Sequence, residues 1–355
     1  MFKKLAQISI ISLAFCFNQA YGATLENMIG QKLMVGFHGN SHSRQFKTVL
    51  KQIERGEVGG VIIFKHNFKN KKELLELTDK INNSKAPCKP FIAVDEEGGV
   101  IQILNAKNGF KNFISAKKIV LLNDNVARTQ YSNMAKILKE AGFNINFAPT
   151  VDLNLNKDSI INKKERSFSA DPNVVNKYAS IVIEEHFREK IITSIKHFPG
   201  HGSLASDTHK GFSDASNSWD VIELEPYKKL INKNNLQTVM VSHVFINKID
   251  SNYPASMSEN TIKKLLREEI GFNGVVVTDD LQMGAIKNNY SLDETIIQTS
   301  KASADILLFA NFFEPDMKIP KKAVKIIKKA IENGEITEEE IEKSYNRIIE
   351  LKNNL

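Results

Sequence analysis

Cysteine is nearly absent, with two in 355 residues. One of them, Cys16, sits in an apolar stretch at the extreme N-terminus. If that stretch is removed, Cys88 stands alone, no intramolecular disulfide is possible, and stability must come from packing. Long hydrophobic runs are missing as well. The mostly apolar stretch at residues 5–17 is too short for a comfortable membrane span. No glycine-rich fingerprint follows the first strand-like run, which counts against a doubly wound nucleotide-binding sheet. Nor does one sign of charge dominate: 48 Lys and Arg face 41 Asp and Glu, a net +7. The excess is spread along the chain in patches such as Lys69-Asn70-Lys71-Lys72 and Lys321-Lys322. These read as solvated faces, and no nucleic-acid partner is expected.

What is present is an ordinary composition, 42% hydrophobic and 25% charged, enough for a sizeable core. Lys3-Lys4, the apolar residues 5–17 and Ala20-Tyr21-Gly22 together read as a secretory signal peptide, residues 1–22, cleaved after Gly22. Bulky Phe15 before Cys16 counts against a lipidation site. The expected mature chain, residues 23–355, is exported to the periplasm or beyond, with no membrane partner after cleavage.

Beyond the leader, apolar strand-like runs occupy residues 32–37, 60–64, 91–95, 144–151, 191–197, 238–243, 274–279 and 304–309. Stretches of helical period lie between them, at 72–82, 126–141, 174–190 and 260–270. Eight such alternations predict a single-domain α/β fold, a (β/α)8 barrel of the TIM type, with an open doubly wound sheet as runner-up. Runs without polar alternation fit strands buried on both faces. From Pro320 onward the pattern is helical with a break at Gly334, giving two packing helices. Several runs end in a polar residue: Asp95, Asp152, His197, His243 and Asp279. In a barrel those ends converge on one face, where active sites sit.

The densest chemistry lies at residues 196–209, KHFPGHGSLASDTH. Pro199, Gly200 and Gly202 forbid regular structure there, so Lys196, His197, His201, Asp207 and His209 gather at a strand end and the loop beyond it. Asp207, two residues from His209, can fix that ring's tautomer and make it a general acid/base. Asp279 closes a strand and can act as a nucleophile, while Asp280 takes a loop or capping role. Asp95 and the acids after it precede two glycines that allow close ligand approach. Arg166 can offer a forked donor to ligand hydroxyls. His197 and His201 are four apart, but Pro199 and Gly200 between them remove the helical two-histidine metal geometry, so no metal or cofactor is expected.

With DEEGG at 95–99, NFAPTVD at 146–152, ERSFS at 165–169, KHFPGHG with DTH at 196–209 and TDDLQMGA at 278–285, the chain resembles the β-N-acetylglucosaminidases of glycoside hydrolase family 3. The resemblance implies a metal-free retaining exo-enzyme that frees terminal β-linked GlcNAc from peptidoglycan fragments or chitooligosaccharides. On it, Asp279 matches the nucleophile and His209, oriented by Asp207, the acid/base. Asp95, Arg166, Lys196 and His197 match positions that hold the sugar. A histidine in place of a second carboxylate departs from the common two-carboxylate scheme. The family's usual DxEGGRVxR is broken here by Val100 and Ile103, so a sugar-binding arginine is missing. The expected partner is a carbohydrate substrate and the expected state a monomer. A broader β-glycosidase, a phosphorylase of the same fold and a non-catalytic glycan-binding protein are the alternatives.

Overall fold

The computed structural model describes residues 23–204, 213–231 and 236–355. Eight parallel strands form one sheet: β1 (Leu33–Val35), β2 (Gly60–Ile62), β3 (Phe91–Val94), β4 (Ile145–Asn146), β5 (Ile192–Phe198), β6 (Thr238–Val241), β7 (Val275–Thr278) and β8 (Leu307–Phe309). They neighbour one another in chain order, β8 pairs back onto β1, and a bridge between Val277 and Ile306 joins β7 to β8. The sheet is therefore a barrel, as the eight apolar runs predict.

Both faces of each strand are apolar because each has something to bury. Met34, Ile62, Ala93, Ile145, Met240, Val277 and Leu308 fill the barrel interior. Val35, Val61, Ile92, Ile195, Val239 and Val276, on the alternate face, pack under the surrounding helices. Strand β4 is shorter than the run at 144–151 suggests. Pro149 has no N–H to give the ladder, and pairing resumes only where Thr150 lies opposite Lys196.

Helices follow every strand, including Arg44–Glu54, Lys71–Asn82, Asp124–Glu140, Pro172–Arg188 and Leu292–Lys301. Side chains of Ser43, Asn70, Asn123, Asp171 and Ser291 cap these five at their N-termini. The tail forms Ile319–Glu332 and Glu338–Asn353, separated at Gly334, whose φ is +73°. The last helix closes the N-terminal end of the barrel with Ile348 and Leu351. Beside them the Lys352 ammonium bonds the Gln31 Oε1 and the Gly59 carbonyl, each at 2.7 Å. With that end plugged, the opposite mouth is left to receive a ligand. No described helix is long and apolar enough to cross a membrane.

Candidate active site

Three of the five polar strand ends, Asp95, His197 and Asp279, meet at the mouth, while Asp152 and His243 are buried outside the cavity lining. Asp95 follows β3, Lys196 and His197 belong to β5, Asp279 follows β7, and Arg166 comes from the β4–β5 connection. All five line one cavity of about 500 Å³ at the mouth. Asp207 and His209 lie outside the described residues, as do residues 1–22.

The centre of the site is an ion cluster whose hub, Glu97, the sequence did not single out. Lys196, with its side chain 2% exposed, places Nζ 2.6 Å from Asp95 Oδ1 and 2.8 Å from Glu97 Oε1. Arg166 forks onto the same carboxylate, Nη2 to Oε1 at 2.7 Å and Nε to Oε2 at 3.0 Å. Burial alone would push Glu97 up; Arg166 and Lys196 overcome it and hold the carboxyl far below the ordinary glutamate range. Burial likewise works against the Lys196 ammonium, yet Asp95 and Glu97 leave its pKa above the usual lysine value. The cluster is ionised and geometrically fixed before any ligand arrives, which is the condition for strong, oriented bonds to hydroxyl groups.

His197 joins the cluster on its other side. Asp152 Oδ2 lies 2.6 Å from its Nδ1, and Asp152 Oδ1 accepts the backbone N–H groups of His197 and His201 at 3.1 and 2.9 Å. Gly202 crosses Leu153 so closely that a Cβ there would stand 1.7 Å from the Leu153 carbonyl oxygen. Glycine at that position lets the loop leave β5 over the barrel rim. Glu223 then anchors the loop from below, with Oε2 accepting the Gly202 N–H at 2.8 Å and Oε1 bonded to the Ser203 hydroxyl at 2.5 Å. Burial pushes its carboxyl up to about 7. In the sequence Glu223 is one acid among several, and nothing in its neighbours marks it.

At β7, the half-buried Asp279 accepts the Asp280 N–H at 2.8 Å. Asp280 is tied to the scaffold: its Oδ1 accepts from Gln282 N at 3.1 Å and Ala310 N at 2.9 Å. Its carbonyl takes the His243 Nε2–H at 2.8 Å. Both aspartates border the cavity, and Asp280 is the one whose carboxylate also holds the turn. Val100 and Ile103 border the same cavity. Among the described residues no group of three or more His, Cys, Asp or Glu is placed to hold a metal ion.

The model of the glycosyl hydrolase family 3 N-terminal domain matches residues 24–351. The chain belongs to glycosyl hydrolase family 3. Family relatives at similar distance include beta-hexosaminidase A of Pseudoalteromonas piscicida, 30% identical over 98% of this chain and 64% of that protein. Another is the beta-hexosaminidase of Nitrosomonas eutropha, 32% identical over 75% of this chain and 76% of its own length. Among solved structures, a family 3 beta-N-acetylglucosaminidase from Paenibacillus sp. str. FPU-7 superposes with a TM-score of 0.84 at 29% identity, over 94% of this chain and 62% of that one. The chain thus spans under two thirds of the Pseudoalteromonas and Paenibacillus proteins.

Proposed function

We propose that this family 3 chain is a retaining exo-β-N-acetylglucosaminidase. Its substrates are peptidoglycan fragments or chitooligosaccharides met outside the inner membrane, after cleavage behind Gly22. The observation that carries the reading is the placement of the Asp279 carboxylate in one cavity with Asp95, Lys196, Arg166 and His197, the two cations being held by Glu97 beneath. The names of the hexosaminidase relatives support the substrate class.

In this scheme Asp95, Lys196, Arg166 and His197 grip the hydroxyls of the terminal sugar. Asp279 attacks the anomeric carbon as the bond to the leaving oxygen breaks, and His209, oriented by Asp207, gives that oxygen its proton. The neutral imidazole then takes a proton from water, whose oxygen displaces Asp279 and restores the starting configuration. Two inversions give net retention.

Purified residues 23–355 should release 4-nitrophenol from its β-N-acetylglucosaminide, and proton NMR should show the β-anomer of GlcNAc forming first. Asp279→Asn keeps the shape but removes the anion, so turnover should fall by several orders of magnitude. An α-anomer appearing first would remove the retaining mechanism. A variant keeping more than about a tenth of wild-type kcat would remove Asp279 as the nucleophile.

A further inference from the structure

The mouth cavity has two unlike sides. The ion cluster comes from β3, β5 and the loop before β5. The ends of β2 and β8 contribute aromatic rings instead. Phe64 stacks with His66 at 5.6 Å between centroids and meets Phe312 edge-on at 5.2 Å. Phe312 in turn meets Phe313 edge-on at 5.0 Å. Phe64, His66, Phe312 and Phe313 line the same cavity as Asp279.

Phe312 and Phe313 are 42% and 73% exposed. Scattered apolar side chains on a surface need no explanation, but paired aromatics at the rim of a cavity with one charged side are a binding feature. Packing does not account for Phe313, which borders both the mouth and a second cavity of about 270 Å³. The backbone beneath the pair is nevertheless firmly held. Asn311, in the left-handed region at φ +50°, donates from Nδ2 to the Gly36 carbonyl at 2.9 Å. It also exchanges bonds with Gln282: its N–H donates to Gln282 Oε1 at 2.7 Å, and its Oδ1 accepts from Gln282 Nε2 at 3.2 Å. The Phe312 carbonyl accepts from His38 Nε2 at 2.8 Å. The pair is thereby fixed to the same turn that holds Asp280, one residue from Asp279.

We propose that Phe312 and Phe313 form the leaving-group subsite, a rigid platform on which the ring beyond the scissile bond lays its apolar face. The occupant is a pyranose or aryl ring. The polar cluster claims the hydroxyls of the terminal sugar, and the aromatic side offers what the C–H face of the next ring needs, a large pre-placed apolar surface. Val100 and Ile103, apolar where the family carries arginines, extend the non-polar lining. The subsite deepens the glycosidase reading and rests on it.

The test uses residues 23–355 with Phe313→Ala and Phe313→Trp, on an exposed side chain whose loss leaves the core intact. Phe313→Ala should lower kcat/KM for N,N′-diacetylchitobiose about tenfold more than for methyl β-N-acetylglucosaminide, whose aglycone ends short of the ring. Phe313→Trp should restore most of the loss. Equal losses on both substrates, or none on either, would overturn the platform. Calorimetric titration with S-linked N,N′-diacetylthiochitobiose separates the platform from the reading beneath it. If the wild type cleaves neither substrate but binds the thioglycoside more tightly than Phe313→Ala does, the platform stands and the hydrolase reading falls. If the thioglycoside does not bind at all, both fall.

Discussion

Asp152 holds His197 twice, through the ring Nδ1 at 2.6 Å and through the backbone N–H at 3.1 Å. On the far side of the ring Arg166 Nη2 lies 3.2 Å from Nε2. A guanidinium donates and cannot accept, so Nε2 is the acceptor and the ring proton sits on Nδ1, facing Asp152. Asp152 is buried, which would raise its pKa, but His197 and the bonds it receives bring it below the usual aspartate value.

Asp152→Asn should therefore disturb orientation more than folding. The amide can still accept the backbone N–H groups, but it no longer selects the ring tautomer. We expect kcat/KM to fall roughly a hundredfold, the scale of a small misplacement at a reacting centre. A low-field Nδ1 proton resonance of His197 should be seen in the wild type and lost in the variant. Unchanged kinetics with the resonance lost would show that the tautomer has no part in turnover.

Glu97→Gln removes the hub anion and leaves two buried cations short of a partner. Breaking a buried ion pair from one side typically costs about 3–5 kcal/mol, and urea unfolding at pH 7 should show a loss of that order. The sign with pH follows from the lowered pKa of Glu97. Its stabilisation is fully present above the unfolded value of about 4.3 and is lost as pH falls toward the folded one. The gap between wild type and variant should narrow at pH 3; a gap that widens in acid would mean Glu97 is not held ionised.

Much of this was legible in the sequence, for a physical reason in each case. The eight strands showed because parallel strands buried on both faces leave uninterrupted apolar runs, as at Val275-Val276-Val277. Asp95, Lys196, His197 and Asp279 showed because a polar residue ending such a run has one place to go. Glu97 stood inside a quoted motif and Asp152 ended an apolar run, but their partners come from distant stretches: Glu97 meets Arg166 and Lys196, and Asp152 meets a ring on another strand. Glu223 and the Phe312–Phe313 pair carried no pattern at all, since only closure of the barrel decides what they face. The shortening of β4 was readable in principle from Pro149.

At the closed end of the barrel, burial brings the Lys352 ammonium down to about 7. The folded chain thus releases this proton earlier than the unfolded chain, whose lysines hold theirs to about 10.4. Between those values the unfolded state binds more protons, so stability rises with pH across the window from about 7 to 10. Lys352→Met should flatten part of that rise. Urea unfolding at pH 7 and pH 9.5 gives the two slopes, and parallel slopes would mean Lys352 is charged in the folded protein.

His209 lies outside the described residues, so its role must be tested through chemistry. If it is the acid, its importance depends on how much the leaving oxygen needs a proton as the bond breaks. His209→Ala should cripple cleavage of N,N′-diacetylchitobiose and largely spare the first step with a dinitrophenyl glycoside, whose phenolate departs unaided. Deglycosylation then becomes limiting, because no base activates water, and a burst of dinitrophenolate should precede the steady state. Azide, a nucleophile that needs no base, should speed the variant and do little for the wild type. Asp207→Ala should show the same pattern more weakly, having lost the orienting carboxylate and kept the imidazole. This dependence on leaving-group acidity is separable from the size dependence expected of Phe313, since a dinitrophenyl ring is both large and a good leaving group. His209→Ala should tolerate that substrate, whereas Phe313→Ala should not. A loss by His209→Ala that is uniform across leaving groups, with no burst and no azide rescue, would make it a binding residue and leave the acid/base unassigned.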